Sequence, residues 1–158
     1  MRILLAAAAI AFAACSSSAP GTPNQKVQIP APDFEIRQLV GPAQLNYEEG
    51  PIEVKYRLDI GNRADVPITL SRLEIVTVNP EGGAYTLDAS HRAYYFRKTI
   101  KAHESSSIDF WAKAYSYGRN TRENEPVTVR GTLNFETPNG HYNQVFVKEI
   151  GQYAGQND

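Results

Sequence analysis

Few side chains in this sequence could do chemistry, and their spacing narrows what that chemistry is. The one cysteine, Cys15, directly follows Ala13 and Ala14. Its thiol can be alkylated or acylated, but with no second cysteine it cannot close a disulfide within the chain. His91, His103 and His141 each lie more than four residues from one another and from Cys15, so no metal-ligand spacing is present. His103 stands near Ser105-Ser106-Ser107, yet there is no Gly-x-Ser-x-Gly elbow and no glycine-rich phosphate loop. The carboxylate pairs Glu48-Glu49 and Glu123-x-Glu125 sit beside Gly or Pro, without the Asp spacing of a calcium loop. These groups read as solvated turn and loop residues. The sequence predicts no enzyme, no metal and no cofactor.

The aromatic residues say more. Along the segment 108–117 the even positions are Ile108, Phe110, Ala112 and Ala114. The odd positions are Asp109, Trp111, Lys113, Tyr115 and Tyr117. In a strand the two sets face opposite ways. The compact apolar set suits a core. Trp111, Lys113, Tyr115 and Tyr117 then form an outward row, a candidate binding surface. Aromatic faces beside a charge can stack on sugar rings or anchor a protein partner. Cross-strand packing under neighbouring side chains would use the same residues, and so would a reversed assignment of faces.

Cys15 closes a recognisable segment. Met1-Arg2 is a short positive start, and twelve uninterrupted apolar residues run from Ile3 to Ala14. That length suits a secretory signal and is too short to span a bilayer as a helix. Phe12-Ala13-Ala14-Cys15 resembles the bacterial lipoprotein lipobox, with Phe where such sequences usually carry Leu. The resemblance implies a signal peptide over 1–14, diacylglycerol on the Cys15 thiol, and an acylated amine on the new N-terminus. Two or three acyl chains, at roughly 0.8 kcal/mol per buried CH₂, hold a protein stably on a bilayer. Ser16, rather than Asp, follows Cys15. In lipoproteins of Gram-negative type this resembles cargo passed to the outer membrane. The expected place is therefore the cell envelope, on the outer membrane facing the periplasm, with the bilayer as one partner.

The elements that position the aromatic row follow a linker. Residues 15–32 are rich in Ser and Pro and lack aromatic residues, which marks a flexible tether. From 33 to 150 the apolar period is two. Ile52, Val54, Tyr56, Leu58 and Ile60 alternate with Glu53, Lys55, Arg57 and Asp59. The parity changes between Leu70 and Leu73, which predicts a bulge near Ser71-Arg72. Pro138-Asn139-Gly140 predicts a hairpin turn. No long stretch carries a 3.6 period. The sequence predicts an all-β protein: an antiparallel, immunoglobulin-like β-sandwich of seven to eight strands, with a short tail at 151–158. Sixteen basic against 17 acidic side chains give a net charge of -1, which argues against a nucleic-acid partner.

Residues 52–78 also resemble the central hairpin of late-embryogenesis-abundant type 2 (WHy) domains and other bacterial immunoglobulin-like envelope modules. Asn62 closes the first strand and Pro67-Ile68 opens the second, as in those domains. The doubled Asn-Pro-Asn that many of them carry is replaced by Asn62-Arg63-Ala64. The expected activity is non-catalytic binding or structural support at a membrane surface, with another envelope protein or a glycan as partner. A stress-protective domain of the late-embryogenesis kind is the alternative, and a protease inhibitor a more distant one.

Overall fold

The computed structural model describes residues 29–41, 49–78, 83–118 and 125–151. The signal segment, Cys15, most of the linker and the tail beyond Gly151 lie outside the described residues. The strands are β1 (Asp33–Val40), β2 (Gly50–Gly61), β3 (Ile68–Thr77), β4 (Tyr85–Leu87), β5 (Ala93–Ile100), β6 (Ser105–Ser116), β7 (Val127–Thr137) and β8 (Gly140–Ile150). One 3-10 turn, Ala89–His91, lies between β4 and β5. The strands form two antiparallel four-stranded sheets, β1-β2-β6-β4 and β5-β3-β7-β8. The expected antiparallel sandwich is what the chain forms, with eight strands where seven to eight were expected.

The order is that of an immunoglobulin-type domain, with one exchange. There the first, second and fifth of seven strands share a sheet, and the third, sixth and seventh share the other. Here β1-β2-β6 and β3-β7-β8 fill those places. Between β3 and β6 the chain visits the β6 edge first, as β4, and then the β3 edge, as β5. The crossing from β4 to β5 is the segment around Asp88–Arg92.

The alternation read in β2 is met. Val54, Tyr56, Leu58 and Ile60 are buried, and their neighbours on the other face are not. Opposite them in β6, Phe110, Ala112 and Ala114 are buried, with Tyr56 facing Phe110 in register. Their rings stack at 5.5 Å. The sheets are joined by aromatic contacts at both margins. Phe34 of β1 meets Phe146 of β8 at 5.0 Å, and Phe110 meets Tyr94 of β5 at 4.9 Å. The bulge also falls where the parity change placed it. Register slips between Leu70 and Arg72 against both β5 and β7, and the Ser71 hydroxyl donates to the Asn134 carbonyl at 3.0 Å.

The polar side chains Gln38, Tyr56, Tyr85 and Asn62, buried with the core, are paired. Tyr85 donates to Gln38 Oε1 at 2.7 Å, so its single hydroxyl proton is spent there. Tyr56, 2.5 Å away, must therefore donate to Tyr85. This chain ties β1, β2 and β4 together, and burial pushes both phenols well above their ordinary range. Asn62, 4% exposed, joins two loops. Its Oδ1 accepts from Ala64 N–H at 2.9 Å. Its Nδ2 donates toward the carbonyls of Val66, Ile100 and Lys101 at 2.9, 3.2 and 3.0 Å. The asparagine that closes β2 therefore pins the β2–β3 turn to the β5–β6 turn.

The hairpin at Thr137–Gly140 differs in detail from its sequence signal. Thr137 and Gly140 pair, so Pro138 and Asn139 form the tip and Gly140, at φ 123°, opens β8. The ring of Pro138 fixes the φ that starts the turn, and Gly140 supplies the positive φ that leaves it.

Candidate functional site

β6 presents the outward row because its partner strand β2 fixes which face is dry. Pairing of Val54 with Ala112 and Tyr56 with Phe110 turns Trp111, Lys113 and Tyr115 outward. Trp111 is 51% and Tyr115 43% exposed. Tyr117 lies one residue past the end of β6 and is half-buried, with its ring edge-on to Tyr115 at 6.2 Å. The row is thus Trp111, Lys113 and Tyr115 on the strand, with Tyr117 folded against its end. Tyr115 donates to Glu49 at 3.2 Å, which raises the phenol pKa. Lys55 lies over the Trp111 ring at 5.9 Å.

Several charges on the rest of this outer face are ion-paired. Arg57 holds Asp109 through two bonds of 2.7 and 3.0 Å, and Lys55 reaches the same carboxylate at 3.2 Å. The Arg57 guanidinium, with Lys55, lowers the Asp109 pKa to about 2. Arg37 and the Ser107 hydroxyl both bind Asp59. Lys113 differs. Glu53 stands opposite it in register, yet no ion pair joins Lys113 to a carboxylate among the described residues. Its ammonium lies 3.5 Å from His91 Nε2 instead.

Trp111 and Lys113 form one wall of a groove of about 450 Å³ whose other wall is the β4-to-β5 crossing, with Ser90, His91, Arg92 and Tyr94. Asp88 caps the 3-10 turn. It accepts from Ser90 N–H at 2.9 Å, from the Ser90 hydroxyl at 2.6 Å and from His91 Nδ1 at 2.7 Å. These bonds, the Ser90 hydroxyl first, lower its pKa to about 2. Burial, with a smaller effect of Asp88, pushes the Tyr94 phenol up to about 12. A Ser, a His and an Asp so close invite comparison with a hydrolase triad, but the geometry is wrong. Ser90 and Asp88 both meet the same ring nitrogen, Nδ1, and the serine proton goes to Asp88. A triad needs the serine on Nε2. The cluster orients His91 with Nε2 toward Lys113.

The other sequence candidates are apart from this groove. His103, in the left-handed region at φ 60°, bonds Asp65 at 2.9 Å, and Ser107 is tied to Asp59. His141 is exposed on β8. Glu49 and Glu125 accept bonds from Tyr115 and from Gly83 N–H. Among the described residues no group of His, Cys, Asp and Glu could hold a metal. Asp88 and Tyr94 were not singled out by sequence, and His91 was weighed there only as a metal ligand, although Asp88-x-Ser90-His91 carries the capping residue type.

No protein-family description matches the chain, and no curated protein does. Solved structures resemble it at low identity. The structural-genomics target SoR45 is 11% identical, with 80% of this chain and 89% of that one covered, at a TM-score of 0.46. A protein from Archaeoglobus fulgidus is 12% identical over 78% and 97%, at 0.45. The GAE domain of yeast GGA1 is 14% identical over 72% and 96%, at 0.37. Likeness at that level decides nothing, and the fold rests on the strand order given above.

Proposed function

We propose that this protein is a lipid-anchored envelope lipoprotein whose β-sandwich is a non-catalytic binding module, held by acylated Cys15 on the outer membrane and facing the periplasm. The anchor rests on the apolar run ending in Ala13-Ala14-Cys15, and the sorting on Ser16. The observation that carries the binding role is the half-exposed pair Trp111 and Tyr115, on one outer face beside Lys113. Large exposed aromatic groups in a cluster cost solvation, and they supply most of the free energy at protein interfaces. A tether near one surface raises the local concentration of such a module against whatever lies there.

The test uses the full-length anchored protein. Envelopes are crosslinked and the tagged protein is captured, as wild type and as the Trp111→Ser, Tyr115→Ser double variant. The double variant should retain its melting temperature and lose the crosslinked partner. A partner captured equally by both would remove the aromatic row from the binding surface.

A further inference from the structure

β4 is three residues long, and β6, which it borders, is twelve. β4 pairs only with Ala114–Ser116. Asp88 N–H then reaches the Lys113 carbonyl at 2.9 Å, and the chain turns away toward β5. Along a strand, alternate residues aim both backbone groups at the same neighbour. Since Lys113 aims at the β4 side, Trp111, Asp109 and Ser107 do so too. Among the described residues no strand covers that edge between Ser105 and Trp111.

The missing length of β4 also uncovers the other sheet. Tyr94 and Phe96, on the inner face of β5, are only half-buried, and so is Ile108 of β6. Lys98 stands opposite Leu70, on the face that the core uses, yet it is exposed. Side chains built for an interior therefore border a slot with no strand over it. The slot is also bracketed by positive charge. Arg92, Lys98 and Lys113 have no carboxylate partner among the described residues, whereas Arg37, Lys55 and Arg57 on the neighbouring face are all paired.

We propose that the open edge of β6 takes an extended segment of a partner protein as an added antiparallel strand in line with β4, with apolar side chains directed inward to Phe96 and Ile108 and acidic ones outward, toward Arg92 and Lys113. This rests on the binding-module reading and deepens it, since it names a protein strand as the ligand. Strand addition explains both observations at once. The edge donors and acceptors need a backbone partner, and the half-covered aromatic residues need an alternating set of side chains above them. The cations choose an acidic segment over a basic one.

The probe is a capped nonapeptide alternating valine and glutamate, added to the full chain and followed by amide hydrogen exchange. The amides of Ser107, Asp109 and Trp111 should gain protection, and those of β8 should not. The same peptide with alternate N-methylated residues should not bind, because it keeps the side chains and loses the ladder. An Arg92→Glu, Lys113→Glu double variant should bind about tenfold more weakly or worse. Two charged surface positions leave the fold intact, which its circular dichroism would verify. Equal binding of the N-methylated peptide, or unchanged exchange at the three amides, overturns the proposal. So does a perturbation of Trp111 by a polygalacturonate oligomer in place of the peptide, which would make the groove a glycan site. In those cases loss of partner capture by the Trp111 and Tyr115 variant would still uphold the binding module itself.

Discussion

Replacing Asn62 tests whether one side chain locks the two turns at the same end of the sandwich. Its Nδ2 carries two protons and faces three carbonyls, and its Oδ1 holds Ala64 N–H. Asn62→Ala deletes about three useful hydrogen bonds at about 1 kcal/mol each, and strands the buried Ala64 N–H at about 1–3 kcal/mol more. Water can reach the half-buried carbonyls and return part of this. The expected loss is about 3–5 kcal/mol, a large share of the roughly 5–15 kcal/mol that holds a domain folded. Asn62→Asp keeps the acceptor for Ala64 and aims oxygen at all three carbonyls. It should cost at least as much at neutral pH. The new carboxyl is held neutral by that ring of oxygens, so its folded pKa lies above its unfolded value near 3.9. Stability from the protonated form is then fully present below the unfolded pKa and is lost as pH rises through the folded one. The deficit of Asn62→Asp should shrink on going from pH 7 to pH 4, while that of Asn62→Ala should not. Urea unfolding followed by circular dichroism at the two pH values measures both. Losses under about 1 kcal/mol for both variants would refute the lock.

Other outcomes follow from the same contacts. Leu58→Ala should cost about 2–5 kcal/mol as a buried truncation, against a far smaller loss for Arg57→Ala on the outer face, and urea midpoints separate the two. Gly131→Ala would place a methyl 2.4 Å from the Phe146 ring and 2.5 Å from the Glu74 carbonyl, so thermal unfolding should show a loss of about 1–3 kcal/mol. The Asp88 carboxyl should titrate near 2 by carbon NMR and move up in Ser90→Ala. Because its pKa is lowered on folding, its contribution to stability is present above the ordinary carboxylate range and disappears as pH falls through about 2. Mass spectrometry of the mature protein should find an acylated Cys15 as its first residue, and Cys15→Ala should leave the protein uncleaved or free of the membrane.

Much of the fold was legible because burial follows local parity. Ile52 to Ile60 and Ile108 to Ala114 alternate cleanly, and each pair of facing strands confirms the other's dry face. Ser71 was legible as a bulge because a parity change has few other causes. Asn62 was visible as a position but not as a lock, since two of its three carbonyl partners lie 38 and 39 residues away. The groove was not legible at all. It exists because β4 stops after Leu87 and the chain changes sheets, and nothing local to Asp88 or His91 tells which strand they will lie against. Lys98 shows the same limit. An exposed lysine is ordinary in sequence, and only its pairing with Leu70 reveals that it sits on an inner face.

The central claim is that the outer face of β6 meets a partner at the membrane surface. A photo-crosslinking amino acid placed at Tyr115, and separately at His141 on exposed β8, tests it in intact cells with the anchor in place. The account predicts a discrete adduct from position 115 and none from position 141. No adduct at 115, or the same adducts from both positions, would contradict it.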